Sequence, residues 1–121
     1  MSVFQLIEPK DYVFETDYFF AIYDRFPVSP GHLLIISKAL KQDYFSLDDL
    51  EKNDLTRAIN KGKDVVEQKH SPSGYNIGMN CGEDAGQTVM HFHCHIIPRY
   101  KGDMQDPRGG IRHCVQGKGY Y

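Results

Sequence analysis

His91, His93 and His95 occupy alternate positions in the run from Val89 to Pro98, with Phe92, Cys94 and Ile96 between and after them. Alternation of period two is the pattern of a strand with one apolar face and one imidazole face. Residues two apart on a strand are about 6.6–6.8 Å apart, so the first and third histidines lie about 13 Å apart, too far for all three to ligate one metal ion. Neighbouring imidazoles at that spacing suit phosphoryl transfer instead, because imidazole titrates near neutrality and serves as nucleophile or as proton donor. The middle ring is flanked on both sides. His93 is therefore the natural nucleophile, its second ring nitrogen held by a backbone carbonyl or a neighbour, with protons handled by His95 or His91. Three polar rings on one strand face would be costly without a use. His70 and His113 read as structural, His70 because it ends a helix where a partial negative charge favours it.

The elements that must hold this strand are legible in outline. Tyr12 to Tyr23 is rich in aromatic and β-branched residues around a turn at Thr16-Asp17, which predicts two short strands, with Asp24 where the pair ends. Two prolines and a glycine in Phe26-Pro27-Val28-Ser29-Pro30-Gly31 predict a tight connection into a central strand, His32 to Ile36. From Ser46 to His70, Leu47, Leu50, Leu55, Ala58, Ile59, Val65 and Val66 fall on one helical face. Ser46 and Asp49 have the spacing of a capping box, and Ser71-Pro72-Ser73-Gly74 ends the helix. Tyr75 to Asn80 has strand character, and Cys81 to Gln87 is a small-residue loop leading into the histidine run. Beyond Arg99 the chain is polar and glycine-rich, and 100–121 is expected to be a tail packing on a single domain that spans 1–121.

With 121 residues there is material for one core, and 40% hydrophobic against 25% charged residues is the balance of an ordinary globular protein. A net charge of −2 without any basic block argues against nucleic acid as a partner. Three cysteines, odd in number and without a CxxC pair, argue against a disulfide framework and a zinc knuckle, and suit a reducing compartment. The first residues have neither the charged start nor the apolar stretch of a signal peptide, and no run is long enough to span a membrane, so the expected location is the cytoplasm and no membrane partner is expected.

The run His91-Phe92-His93-Cys94-His95-Ile96-Ile97 resembles the signature of the histidine triad (HIT) family, three histidines alternating with apolar residues. Gly86-Gln87-Thr88-Val89 and Pro30-Gly31-His32 are similar to companions of that motif. The resemblance implies an α+β fold with an antiparallel sheet of about five strands, one long helix and a short additional helix. It also implies pairing as a homodimer and hydrolysis or transfer of nucleotidyl groups. No metal enters the chemistry and no cofactor is required, magnesium coming at most with the substrate. Related nucleotidyl transferases carry glutamine where His95 stands, so histidine there favours water as the final acceptor.

On the same resemblance His93 is the nucleophile, His95 protonates the leaving group, His91 orients the site and His32 supports His95. Gln87 touches the phosphate and scissile oxygen, Thr88 adds hydroxyl and backbone contacts, Asn80 is a polar contact on the phosphate side, and Asp24 binds the ribose. Phe4, Ile7, Phe20 and Ile22 are candidates for an apolar base pocket. Cys94 should point away from the site as a small buried residue.

Two other classes compete: a metal site built from two of the triad histidines and His32, and a nucleotide-binding module with negligible turnover. Within the hydrolase reading the substrate is a dinucleoside polyphosphate or a nucleoside phosphoramidate. Similarity to bacterial members near the fragile histidine triad branch favours the former. Arg99, Arg108 and Arg112 could hold extra phosphates or simply form surface ion pairs.

Overall fold

The computed structural model describes residues 1–121. Five strands form one sheet in the order β1-β2-β3-β5-β4, every pair antiparallel: β1 Phe14–Glu15, β2 Phe19–Tyr23, β3 Leu33–Ser37, β4 Gly74–Gly78 and β5 His93–Arg99. One long helix, α1 Asp49–Lys69, crosses one face. The short additional helix takes the form of single 3₁₀ turns, among them Val3–Leu6 and Gly110–Cys114. No helix is long and apolar enough to cross a membrane.

Alternation along the strands sorts side chains between two faces. Phe19, Ala21, Leu33, Ile35, Cys94 and Ile96 face α1 and pack with Leu55, Ala58 and Val66 in the main core. Phe20, Ile22, Leu34 and Ile36 face the other way, where Phe4, Ile7 and Tyr12 cover them. In the pairing of β3 with β5, Ile36 stands opposite His93 and Leu34 opposite His95, which puts these two histidines on the face without the helix. At Gly62 α1 packs tightly against β5. A Cβ there would lie 2.6 Å from Cδ1 of Ile96.

The helix starts at a different cap from the one predicted. Ser46 closes a 3₁₀ turn, Tyr44–Ser46, and Leu47 after it is extended, so the helical path begins two residues later. There Asp48 accepts from the Glu51 N–H while Glu51 accepts from the Asp48 N–H, 2.8 and 2.9 Å. The capping box is real but belongs to that pair. The far end closes at His70, as predicted, with its N–H on the Val66 carbonyl. The predicted turn at Thr16-Asp17 is fastened from below, since buried Asp54 of α1 accepts from Thr16 Oγ1 (2.7 Å) and from the Tyr18 N–H (2.8 Å).

Candidate active site

His93 and His95 project from β5 into a cavity of about 400 Å³ whose far wall is apolar, with Phe4, Ile7, Ile22 and Leu34 among its lining. Their ring centroids are 5.6 Å apart and their planes are inclined at 66°. His91 lies on the same side of the sheet, with Phe4 edge-on to both His91 and His93, but it does not line the cavity. The strand begins only at His93, the His91 N–H is on the Val89 carbonyl (2.8 Å), and the His91 ring is fully buried. Of the three imidazoles expected on one face, two reach the cavity and the third is buried behind them.

Hydrogen bonds settle the proton positions on these rings, because a carbonyl only accepts and an N–H only donates. His93 Nδ1 lies 2.8 Å from the His91 carbonyl and so carries the proton, leaving the Nε2 lone pair free toward the cavity. His91 Nε2 donates to the Ser37 carbonyl at 2.7 Å. The Val28 N–H points at His32 Nδ1 (3.2 Å), so His32 is protonated at Nε2 and donates to Nδ1 of His95 at 2.9 Å. His95 then keeps its own proton on Nε2, the nitrogen turned to the cavity.

Burial lowers the basicity of His32, His91 and His95. For His95 the neighbouring His32 and His93 add to that effect, while Asp24 opposes it for both His32 and His95. Asp24 Oδ2 lies 3.5 Å from His32 Nε2 and 3.9 Å from His95 Nδ1, and its Oδ1 accepts from the Phe26 N–H at 2.8 Å. Asp24 lines the cavity, as do Asn80 and Thr88.

Gln87 departs from its expected place. It is buried, and its amide is spent on backbone groups of its own loop and of Gln42: Oε1 accepts from the Gly82 N–H (2.8 Å) and Nε2 donates to the carbonyls of Gln42 and Val89 (2.6 and 3.2 Å). The side chain latches a loop that turns at Gly82 and Gly86, both at positive φ, and so presents Thr88 to the cavity. Phe20 is likewise not a cavity residue. It stacks on Tyr12 at 4.2 Å beneath the wall that Phe4, Ile7 and Ile22 form.

Cys94 is fully buried among the core residues on the helix side, and burial pushes its thiol up to about 12. The tail arginines are engaged away from the cavity. Arg99 binds Asn76 and Asp103, Arg108 sits by Asp106 and the Tyr120 ring, and Arg112 donates to the Lys118 carbonyl. The cation on the cavity wall is Arg25, which sequence reasoning missed, along with Leu34. No pattern marks Arg25 in the sequence. Leu34 was legible, since it shares the parity of Ile36 on a strand next to the histidines.

A HIT domain matches residues 5–102. The chain belongs to the histidine triad family. Among its HIT relatives, a bis(5'-adenosyl)-triphosphatase of Dictyostelium discoideum is 36% identical over 101 residues, covering 84% of this chain and 68% of the relative. An asymmetrical bis(5'-nucleosyl)-tetraphosphatase of Schizosaccharomyces pombe is 42% identical over 80 residues, or 66% of this chain, which spans 44% of that relative's length. The crystal structure of a HIT family member from Bacillus subtilis superposes with a TM-score of 0.77 at 32% identity, covering 84% of this chain and 75% of that one.

The grouping nearest to a metal site in this HIT chain is Asp24, His32 and His95, whose ligand atoms lie within 4.8 Å of one another. Only one triad histidine takes part. Nε2 of His32 carries the proton that its Val28 contact dictates, so ligation there would set a protonated Nδ1 against the Val28 N–H. The donor set fits a hydrogen-bonded relay better than a cation.

Proposed function

We propose that this chain hydrolyses dinucleoside polyphosphates at an α-phosphate through a nucleotidyl-His93 intermediate and releases a nucleoside monophosphate. One observation carries the reading: the free Nε2 of His93 faces a cavity that also holds a proton-bearing His95 Nε2, with the back of each ring fixed by a hydrogen bond.

In the first step the His93 Nε2 lone pair forms a bond to the α-phosphorus and the bond to the bridging oxygen breaks. The electron pair goes to that oxygen, which takes the His95 Nε2 proton. Anionic substrate favours the imidazolium form of His95; its Nδ1 proton and the Nε2 proton of His32 then both turn to Asp24 Oδ2, 3.9 and 3.5 Å away. In the second step water attacks phosphorus, the P–N bond breaks with its electron pair returning to His93, and His95 takes the water proton. Positioning and charge neutralisation supply most of the rate. Asp24 is placed for the ribose, Phe4, Ile7 and Ile22 for the base, and Arg25, Thr88 and Asn80 for the phosphates. Gln87 acts by holding the loop, not by touching the scissile oxygen.

No metal or cofactor is needed, and magnesium would arrive only with the substrate. The protein would work in the cytoplasm, without nucleic acid or membrane, as a homodimer joined through β4, the open sheet edge on which Ile77 is 45% exposed. A nucleoside phosphoramidate is the second reading. It is favoured by the tail arginines being engaged elsewhere, which leaves Arg25 as the single Lys or Arg lining the cavity.

The test is chromatographic product analysis with diadenosine tetraphosphate and adenosine phosphoramidate at equal concentration in the presence of chelator. Faster release of monophosphate from the tetraphosphate supports the first reading. Preference for the phosphoramidate replaces the substrate and keeps the His93 chemistry.

A further inference from the structure

His91 is held at both ring nitrogens. Nε2 donates to the Ser37 carbonyl, so Nδ1 must accept, and its partner is the hydroxyl of Ser2 at 2.5 Å. Ser2 is also the N-cap of the 3₁₀ turn Val3–Leu6: its Oγ accepts from the Phe4 N–H (3.2 Å), and Gln5 Oε1 accepts from its N–H (2.9 Å). That turn sets the Phe4 ring edge-on to both His91 and His93, at 5.6 and 5.0 Å. Ser2 lies outside residues 5–102, which match the HIT domain.

We propose that Ser2 is a positioning residue for the nucleophile. Its hydroxyl fixes the tautomer and plane of the His91 ring, and the His91 carbonyl in turn orients His93. The coupling is short. With the ring tied at both nitrogens and the His91 N–H tied to the Val89 carbonyl, the residue has little torsional freedom left. The carbonyl that holds Nδ1–H of His93 is therefore fixed in direction. Removing the hydroxyl leaves a fully buried ring nitrogen without a donor, a state that favours rotation of the ring or a change of tautomer. Either frees the His91 peptide and lets His93 sample the wrong protonated nitrogen. This inference rests on His93 being the nucleophile.

The experiment uses Ser2→Ala and Ser2→Gly, the latter because glycine is also an accepted N-cap and keeps the turn while removing the hydroxyl. Ser2→Thr serves as the conservative restoration. Ring ¹⁵N shifts of His91 and His93 are read by long-range proton–nitrogen correlation in the full chain, beside kcat and KM for diadenosine tetraphosphate. The wild type should hold His91 protonated on Nε2 and His93 on Nδ1. Both hydroxyl-free variants should shift His93 toward mixed tautomers and lower kcat about tenfold while KM moves less than about twofold, with threonine restoring both. Unchanged His93 shifts in both variants, whatever the kinetics, would overturn the proposal, since Ser2 would then act only on the cavity wall. If the wild type hydrolyses neither substrate, the His93 reading fails on its own, and the ring shifts still decide the linkage from Ser2 through His91 to His93.

Discussion

Nε2 of His32 lies 2.9 Å from Nδ1 of His95, and the Val28 N–H pointing at the other nitrogen of His32 assigns the proton between the two rings to His32. A backbone amide in the β2–β3 connection thereby decides which nitrogen of His95 carries a proton into the cavity. Burial lowers the basicity of His95, and repulsion of positive charge by His32 adds to it, while Asp24 opposes both. His32→Ala should raise the His95 pKa toward its ordinary value, and Asp24→Asn should lower it further by removing the opposing carboxylate. Titration of the His95 ring by NMR in the two variants reads these opposite movements directly.

His93→Ala should reduce kcat by about a thousandfold or more, since no other ring presents an unprotonated nitrogen to the cavity. The ring is only half-buried, so the melting temperature should stay within a few degrees of wild type. Kinetics and a thermal melt on the same preparation separate loss of chemistry from loss of fold.

Three histidines titrate below their ordinary value in the folded chain: His32, His91 and His95. Between those lowered values and the unfolded value of about 6.5 the unfolded state binds more protons, so stability rises with pH through that window. The contribution is fully present above pH 6.5 and is lost as the pH falls below it. Denaturant midpoints measured from pH 7.5 to 5 should decrease, with most of the decline starting near pH 6.5. A flat profile would mean that the three rings are as free to protonate as in the unfolded chain.

Cys94 should be inert in the folded protein despite lying between two site histidines, because its thiol is buried and pushed up to about 12. Alkylation at pH 8 followed by peptide mapping should label exposed Cys114 and partly exposed Cys81 and spare Cys94. Activity should survive the treatment.

Much of this site was legible because period-two alternation is a local signal that carries over to a sheet face without distortion. His93, His95 and Cys94 went to the predicted sides for that reason. The long helix was legible from its apolar stripe, and its start was displaced because an extra 3₁₀ turn consumed Ser46. What the pattern could not carry is where a strand begins. His91 matches the alternation and stays on the histidine side of the sheet, but it precedes the ladder and lies buried, so it does not reach the cavity. Contacts across long chain separations were equally hidden: the hydroxyl of Ser2 on His91, the Gln87 amide on the Gln42 carbonyl and Arg25 on the cavity wall follow from tertiary closure and leave no spacing to read.

The central claim is a covalent step at His93, and the steric course of the reaction tests it most directly. A dinucleoside polyphosphate made chiral by sulfur and oxygen isotope at the α-phosphorus is hydrolysed in isotopically labelled water, and the configuration of the released monophosphorothioate is determined. Two in-line displacements, one by His93 and one by water, predict net retention at phosphorus. Inversion would mean that water attacks in a single step and that His93 is not the nucleophile.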